Sequence, residues 1–234
     1  MRIRLLGDIH SKYSGYLNLI KEAEYSIQLG DFGFNYDILE SVDSNKHRVI
    51  LGNHETVYTD SYGELIKPCN HILDNFGTIN LKLLDNNTKI PDIFYSRGEH
   101  SIDKAWRTEG KDWFKDEELS YYKMLEAVKL YNSIKPQIVI SHGCPSSMIP
   151  YIANPAFEHM NIKPSATSIM LEEMYRIHQP DFWFHAHYHF NKCYKPDHTY
   201  FFCIDELHHI DLVDTEYGYD VKSGYFDLEM KNVD

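Results

Sequence analysis

The sequence predicts an α/β (α+β) protein with two β-sheets flanked by helices. Two observations carry that class. Short apolar runs at 3–6, 26–29 and 47–51 alternate with segments of helical period, which implies a parallel sheet covered on its faces. Apolar runs at 81–84 and 93–96, parted by the turn Asp85-Asn86-Asn87, point to a second sheet. A third observation bears on function. Run after run ends not in plain turn residues but in a small residue followed by Asp, Asn or His.

Taken in order, residues 3–6 lead into Gly7-Asp8-Ile9-His10. Ser14 is the expected cap of a helix carrying Leu17, Leu19, Ile20 and Ala23. The strand at 26–29 ends in Gly30-Asp31, and a short amphipathic segment around Ile38-Leu39 leads to the strand at 47–51 and Gly52-Asn53-His54-Glu55. A polar and aromatic stretch without period follows at 96–115. Asp116 is the expected cap of a helix through Leu119, Met124, Leu125, Val128 and Leu130 that stops before Pro136. The strand at 138–140 ends in Ser141-His142-Gly143. Four prolines make 145–164 an ordered surface loop, and Ser165 then caps a helix through Ile169, Met170, Met174 and Ile177. The strand at 181–184 runs into His185-Ala186-His187-Tyr188-His189, with further strands at 200–204 and 210–213 and a polar, peripheral tail beyond Asp214.

Composition sets the outer limits. At 234 residues, 43% hydrophobic and 25% charged, the chain suits one domain over 1–234 with a sizeable core. A net charge of −12 argues against bulk attraction to long nucleic acid or an anionic membrane. It leaves room for a small phosphate-bearing substrate, because a metal site inverts the local field. The 4 cysteines show no Cys-x-x-Cys spacing, which points to reduced thiols. The start has too short an apolar run for a signal peptide, and no stretch approaches the roughly 20 apolar residues of a membrane span. The expectation is a soluble, cytoplasmic protein.

Histidine is abundant, at 14 copies, and the strand ends concentrate it. Asp8 and His10, Asp31, Asn53 and His54, His142, then His187 and His189 are all metal-capable, and alternate residues of an extended chain reach the same side. Mixed carboxylate, imidazole and amide ligands suit a pair of divalent ions of intermediate hardness, Mn, Fe, Zn or Ni, with Mg a further option. An aspartate is the natural bridge. Two ions about 3.5–4 Å apart can hold a hydroxide and clamp a phosphoryl group for in-line attack, and a nearby imidazole not used as ligand can supply a proton.

The ordered set Gly7-Asp8-Ile9-His10, Gly30-Asp31, Gly52-Asn53-His54-Glu55, His142-Gly143 and Ala186-His187-Tyr188-His189 resembles the calcineurin-like metallophosphoesterases. The resemblance implies a four-layer αββα sandwich with a dimetal site at the carboxyl ends of the strands. It implies one metal on Asp8, His10 and His189, a second on Asn53, His142 and His187, and Asp31 bridging them. His54 would be the catalytic non-ligand histidine beside the leaving group, with Glu55 or Asp8 as partner carboxylate. It remains open at this stage whether His54 is instead a further ligand. Ala186 stands where the family usually has Gly, and a register using His185 and His187 is sterically poorer, so His185 is expected beside the ligands. Phe32-Gly33-Phe34 replaces the Asp-Arg-Gly of the protein phosphatases. Ser101-Ile102-Asp103, Arg107-Thr108-Glu109-Gly110, Trp113 and Glu117-Glu118 resemble a group of small bacterial and phage members.

The reading is therefore a dimetal phosphoesterase acting on a small phosphodiester, nucleotidic substrates included. Phosphomonoester or phosphoprotein hydrolysis is the alternative, and a non-catalytic scaffold of the same fold is the reading from another class. Arg107 and His100 are the candidate substrate contacts, although Arg107 is also placed to pair with Asp103 four residues earlier. Trp106 and Trp113 are expected to pack beneath their loop. His47, His71, His159, His178, His198, His208 and His209 are read as surface residues. Selectivity is assigned to the loops at 55–70, 96–115 and 145–165.

Overall fold

A computed structural model describes residues 1–55, 62, 64–152 and 162–224. The first apolar run forms β1 (Arg2–Leu6), and α1 (Tyr13–Ile20) leads to β2 (Tyr25–Gln28) and β3 (His47–Val49). β2 lies parallel to both β1 and β3, as the alternation with helical segments requires. The second half supplies β4 (Phe76–Ile79), β5 (Ile93–Ser96), α2 (Tyr121–Ile134), β6 (Ile138–Ser141), α3 (Ala166–Ile177) and β7 (Phe182–His185). It closes with β8 (Lys192–Tyr194), β9 (Tyr200–Cys203), β10 (His209–Asp214) and β11 (Tyr219–Lys222). One sheet runs β11-β10-β1-β2-β3, and the other β4-β5-β6-β7-β9-β8.

The strands read as continuous apolar runs because both of their faces are covered. Ile3, Leu5, Ile27 and Ile210 of the first sheet meet Ile93, Ile138, Ile140, Phe184 and Phe202 of the second in one buried core. The outer face of the second sheet carries Phe94, Val139, Trp183 and Phe201 against Ala127 and Tyr131 of α2 and Leu171 and Met174 of α3. Leu6 and Val49, on the other outer face, pack on Tyr16 and Ile20 of α1. The two-sheet, helix-flanked architecture expected from the sequence is borne out.

Several local expectations are corrected. Residues 81–84 are not a strand. Asn80 accepts from the Lys82 N–H and starts a short 3-10 helix, Leu81–Leu83, so that β4 forms just before it and pairs antiparallel with β5. α1 begins at Tyr13 without a side-chain cap, and α2 is capped by Ser120 rather than Asp116, which lies within the 3-10 helix Lys115–Glu117. Ser165 caps α3 as expected, through a reciprocal bond pair with Ser168. The segment after Asp214 is less peripheral than its polarity implies. It forms β11, and Asp214 itself accepts from the Met1 amino group at 3.0 Å and the Lys89 N–H at 2.8 Å. Trp106 does not pack under its loop but is 71% exposed, while Trp113 is half-buried beneath Lys104 Nζ. His71 is buried, its Nε2 2.9 Å from the Val42 carbonyl. His159, with residues 56–61, 63, 153–161 and 225–234, lies outside the described residues.

Candidate metal centre

The carboxyl ends of β1, β2, β6 and β7, with the loop after Leu51, face one concave site. Its cavity of about 280 Å³ is lined by His10, Asp31, Asn53, His54, Arg107, His187 and His189, together with Ile102 and Asp103. Close approach of the loops is what makes this possible. A Cβ on Gly52 would stand 2.2 Å from Asp31 Oδ1, and one on Gly30, whose φ is +106°, would stand 2.4 Å from His142 Nδ1.

The side chains converge by a route different from strand alternation. His10, Asp31, His187 and His189 all adopt positive φ, between 44° and 70°, which is rare for residues with a Cβ. At His187 the Tyr188 N–H donates to the Ala186 carbonyl at 2.8 Å, closing a tight turn. Such strain concentrates at functional sites, where the surroundings hold it in place.

The ligand-capable atoms form overlapping groups. Those of Asp8, His10 and His189 lie within 4.8 Å of one another, as do those of Asp31, His142 and His187, and those of His10, Asp31 and His54. Asp8 Oδ2 is 3.3 Å from His189 Nε2 and 3.6 Å from His10 Nε2, and the two imidazole nitrogens are 3.1 Å apart. Asp31 lies between the groups: Oδ1 is 3.4 Å from His142 Nε2, and Oδ2 is 3.7 Å from His10 Nε2. Oδ1 is held in place by the backbone N–H groups of Asn53 and His54, at 2.8 and 2.9 Å. His185 faces elsewhere, its Nε2 3.0 Å from the Tyr194 hydroxyl, and burial pushes its pKa down to about 3.

Electrostatics mark the same spot. Burial alone would lower the His142 pKa, but Asp31 and Asp8 outweigh it and raise it to about 10. Asp31 goes well below the usual carboxylate range, because His142, His54 and His10 overcome its own burial. His187 is pushed well down by burial and by the charge on His142. His54 is lowered as well, by burial and by Arg107 against the pull of Asp31.

The donor set fits divalent cations. Asp8 Oδ2 is buried without a hydrogen-bond partner, a costly state for a lone carboxylate oxygen. His142 Nδ1 lies 2.7 Å from the Leu29 carbonyl and must donate to it, which turns the Nε2 lone pair toward Asn53 Oδ1 at 2.9 Å. A lone pair facing an amide oxygen and a carboxylate needs a positive charge between them, either a proton on the ring or a metal ion.

The sequence from residue 1 to 191 matches the family described as calcineurin-like phosphoesterase. The chain belongs to that family. The family match supports phosphoester hydrolysis, and the paired His and Asp groups are where this phosphoesterase could hold divalent ions. No curated protein matches the sequence. Among solved structures, a putative 5'-nucleotidase from Staphylococcus aureus aligns at 14% identity and TM-score 0.49, covering 95% of this chain and 52% of that one. An archaeal phosphodiesterase aligns at 13% identity and TM-score 0.38, covering 95% and 99%. Vacuolar protein sorting 29 from Cryptosporidium parvum aligns at 10% identity and TM-score 0.41, covering 96% and 97%. The phosphoesterase thus spans about half the length of the first of these and nearly all of the others.

The structure places the remaining candidates less uniformly. Arg107 lines the metal cavity, yet it grips Asp103 through Nε and Nη2 and lies 3.0 Å from each ring nitrogen of His54. His100 lines an adjoining groove of about 570 Å³ with Ile102, Glu118, Ile162, Lys163 and Ser165. Its Nδ1 is 3.1 Å from Glu117 and 3.5 Å from Glu118, and those carboxylates lift its pKa to about 9 despite partial burial. Glu55 is not the partner of His54. Its buried carboxylate accepts from the backbone N–H groups of Gly52, Gly33 and Phe32, pinning the Asn53 loop to the Asp31 loop. Gln28 does the same between Gly7 and Gly30, and nothing in its strand context distinguishes it from a packing residue.

Proposed function

We propose that this phosphoesterase hydrolyses a small phosphodiester, nucleotidic substrates included. Asp8, His10 and His189 would hold one divalent ion, Asn53, His142 and His187 a second, and Asp31 would be shared. The observation that carries this reading is that five of those seven side chains line one cavity and Asp8 and His142 group with them behind it, with a carboxylate oxygen of Asp8 left unsatisfied. When bound, ions such as Mn, Fe, Zn or Ni, or Mg, supply Lewis-acid charge to phosphoryl oxygens and an activated water as nucleophile.

The chain's own residues do the rest. His54 stands at the mouth of the cavity and serves as proton donor to the departing ester oxygen. Arg107 lies 3.0 Å from both ring nitrogens and holds the imidazole in place. Arg107 also brings its charge to the rim, where a phosphate oxygen would lie. Ile102 borders both this cavity and the groove beside His100 and Lys163, and that shared border supports a substrate with two ester arms. The protein contains no helix, among its described residues, long and apolar enough to cross a membrane.

The test is a parallel assay of bis-p-nitrophenyl phosphate, p-nitrophenyl phosphate and cyclic nucleotides with Mn, Ni, Zn and Mg. Activity should vanish on chelation and return with metal, highest on the diesters. Full activity after chelation would overturn the reading, and preference for the monoester would replace diester by monoester. His54→Ala should cut turnover by roughly 10²–10⁴-fold with metal content unchanged. Equal loss of both would make His54 a ligand.

A further inference from the structure

Asn53 is an amide, and an amide offers a metal its oxygen only if something holds the group the right way round. The residues that do so come from the loop at 96–118, far away in sequence. Asn53 Nδ2 donates to Ser101 Oγ at 3.0 Å, across a separation of 48 residues. Ser101 Oγ in turn donates to Glu117 Oε2 at 2.6 Å, a length typical of a hydroxyl on a carboxylate. All three side chains are buried, at 1%, 0% and 1% exposure. On the far side, Glu117 Oε1 lies 3.1 Å from His100 Nδ1.

The direction of this chain is dictated by hydrogen count. The Ser101 hydroxyl has one hydrogen, and Glu117 takes it. What Ser101 then shows to Asn53 is lone pairs alone, so the amide must present its NH₂ there and its oxygen to the opposite side. That opposite side is His142 Nε2, at 2.9 Å, within the group formed by Asp31, His142 and His187. Outer partners that orient a ligand commonly change metal affinity by roughly 10–100-fold.

We propose that Ser101 and Glu117 are positioning residues that lock the Asn53 amide with its oxygen toward the His142 and His187 side, and so set the affinity of the ion held there. This rests on the dimetal reading above. It assigns a task to two members of the Ser101 to Glu118 motif that no catalytic role had absorbed. It also predicts a specific bypass. An aspartate at position 53 has two oxygens and no NH₂, so it needs no such lock.

The experiment titrates metal-free wild type, Ser101→Ala, Asn53→Asp and the double variant with Mn²⁺. Binding is followed by calorimetry and by the electron paramagnetic resonance signal of coupled manganese pairs. Wild type should bind two ions. Ser101→Ala should bind one with unchanged affinity and the other roughly 10–100-fold more weakly, with the coupled signal lost at matched metal. The double variant should match Asn53→Asp within about twofold, because the lock no longer acts. Should Ser101→Ala fail to fold, Glu117→Ala tests the same point, since an unclaimed Ser101 hydrogen can then turn to the Asn53 oxygen and reverse the amide. Wild-type affinity for both ions in Ser101→Ala, or the same loss in the Asn53→Asp background, would overturn the relay while leaving the dimetal reading intact. A wild type that binds no Mn²⁺, Zn²⁺ or Ni²⁺ would overturn the dimetal reading and the relay with it.

Discussion

The two candidate ligand groups are built from the same kinds of side chain but live in different surroundings. His142 and His187 are 0% and 4% exposed, and the inner group is tied in on every side, His142 to the Leu29 carbonyl and Asn53 to Ser101. In the outer group the side chains of His10 and His189 are 23% and 33% exposed, and their rings stack on each other at the mouth, 4.7 Å apart. Burial with outer hydrogen bonds would favour tight, slowly exchanging binding. Exposure leaves room for water and substrate. The difference suggests a division of labour: the inner group anchors, the outer group meets the substrate, and Asp31 couples them.

Removing the coupling should have the largest effect. Asp31→Ala should lower turnover by roughly 10³-fold or more, since several kcal/mol of charge stabilisation depend on both ions. Metal content by atomic emission should fall from two ions to one or none. Unchanged content would mean that the groups bind independently and that no carboxylate is shared.

The next effect separates the groups themselves. His187→Ala should abolish the slowly exchanging ion and lower the melting temperature of the metal-loaded protein, because an ion at 100 times its Kd stabilises by about 2.7 kcal/mol. His189→Ala should leave that ion in place and lower the melting temperature less, while turnover falls. Calorimetry of the two variants at matched metal checks the ranking, and a reversed order would invert the division of labour.

The smallest effect concerns the wall behind the inner group. A Cβ on Gly143 would lie against the Glu99 carboxylate, whose Oε1 accepts from Ser165 Oγ and from the His100 N–H while Oε2 has no partner. Burial lifts the Glu99 pKa from the ordinary 4.5 to about 7, against those two hydrogen bonds. A carboxyl raised in the fold stabilises it fully below the unfolded value and loses that contribution as pH rises through the folded one. Metal-free wild type should therefore weaken between about pH 5 and pH 8 relative to Glu99→Gln, by on the order of 1–3 kcal/mol. Parallel denaturation curves across that range would refute the assignment.

Much of the site was legible in the chain because short apolar strands announce their own ends. Asp8, Asp31, Asn53, His142 and His187 follow β1, β2, the run at 47–51, β6 and β7, and parallel strands within each of the two sheets bring such ends to one edge. Residues 81–84 were misleading for a local reason, since four apolar-rich residues look alike as strand or as 3-10 turn until Asn80 supplies its cap. β8 and β11 are short edge strands of mixed polarity, which carry little periodicity of their own.

By itself the sequence determined the candidate inventory of metal-capable residues, its order and the two-sheet frame, because those follow from hydrophobic period and from side-chain chemistry at fixed positions. Only the tertiary structure decided what holds the inventory in place. Glu55 bonded to Gly33, Ser101 and Glu117 behind Asn53, and Arg107 against His54 are contacts between side chains and distant loops. Their partners lie up to 53 residues away, so no local pattern marks them. The left-handed backbone at His10, Asp31, His187 and His189 is likewise imposed from outside, since unaided these residues avoid it.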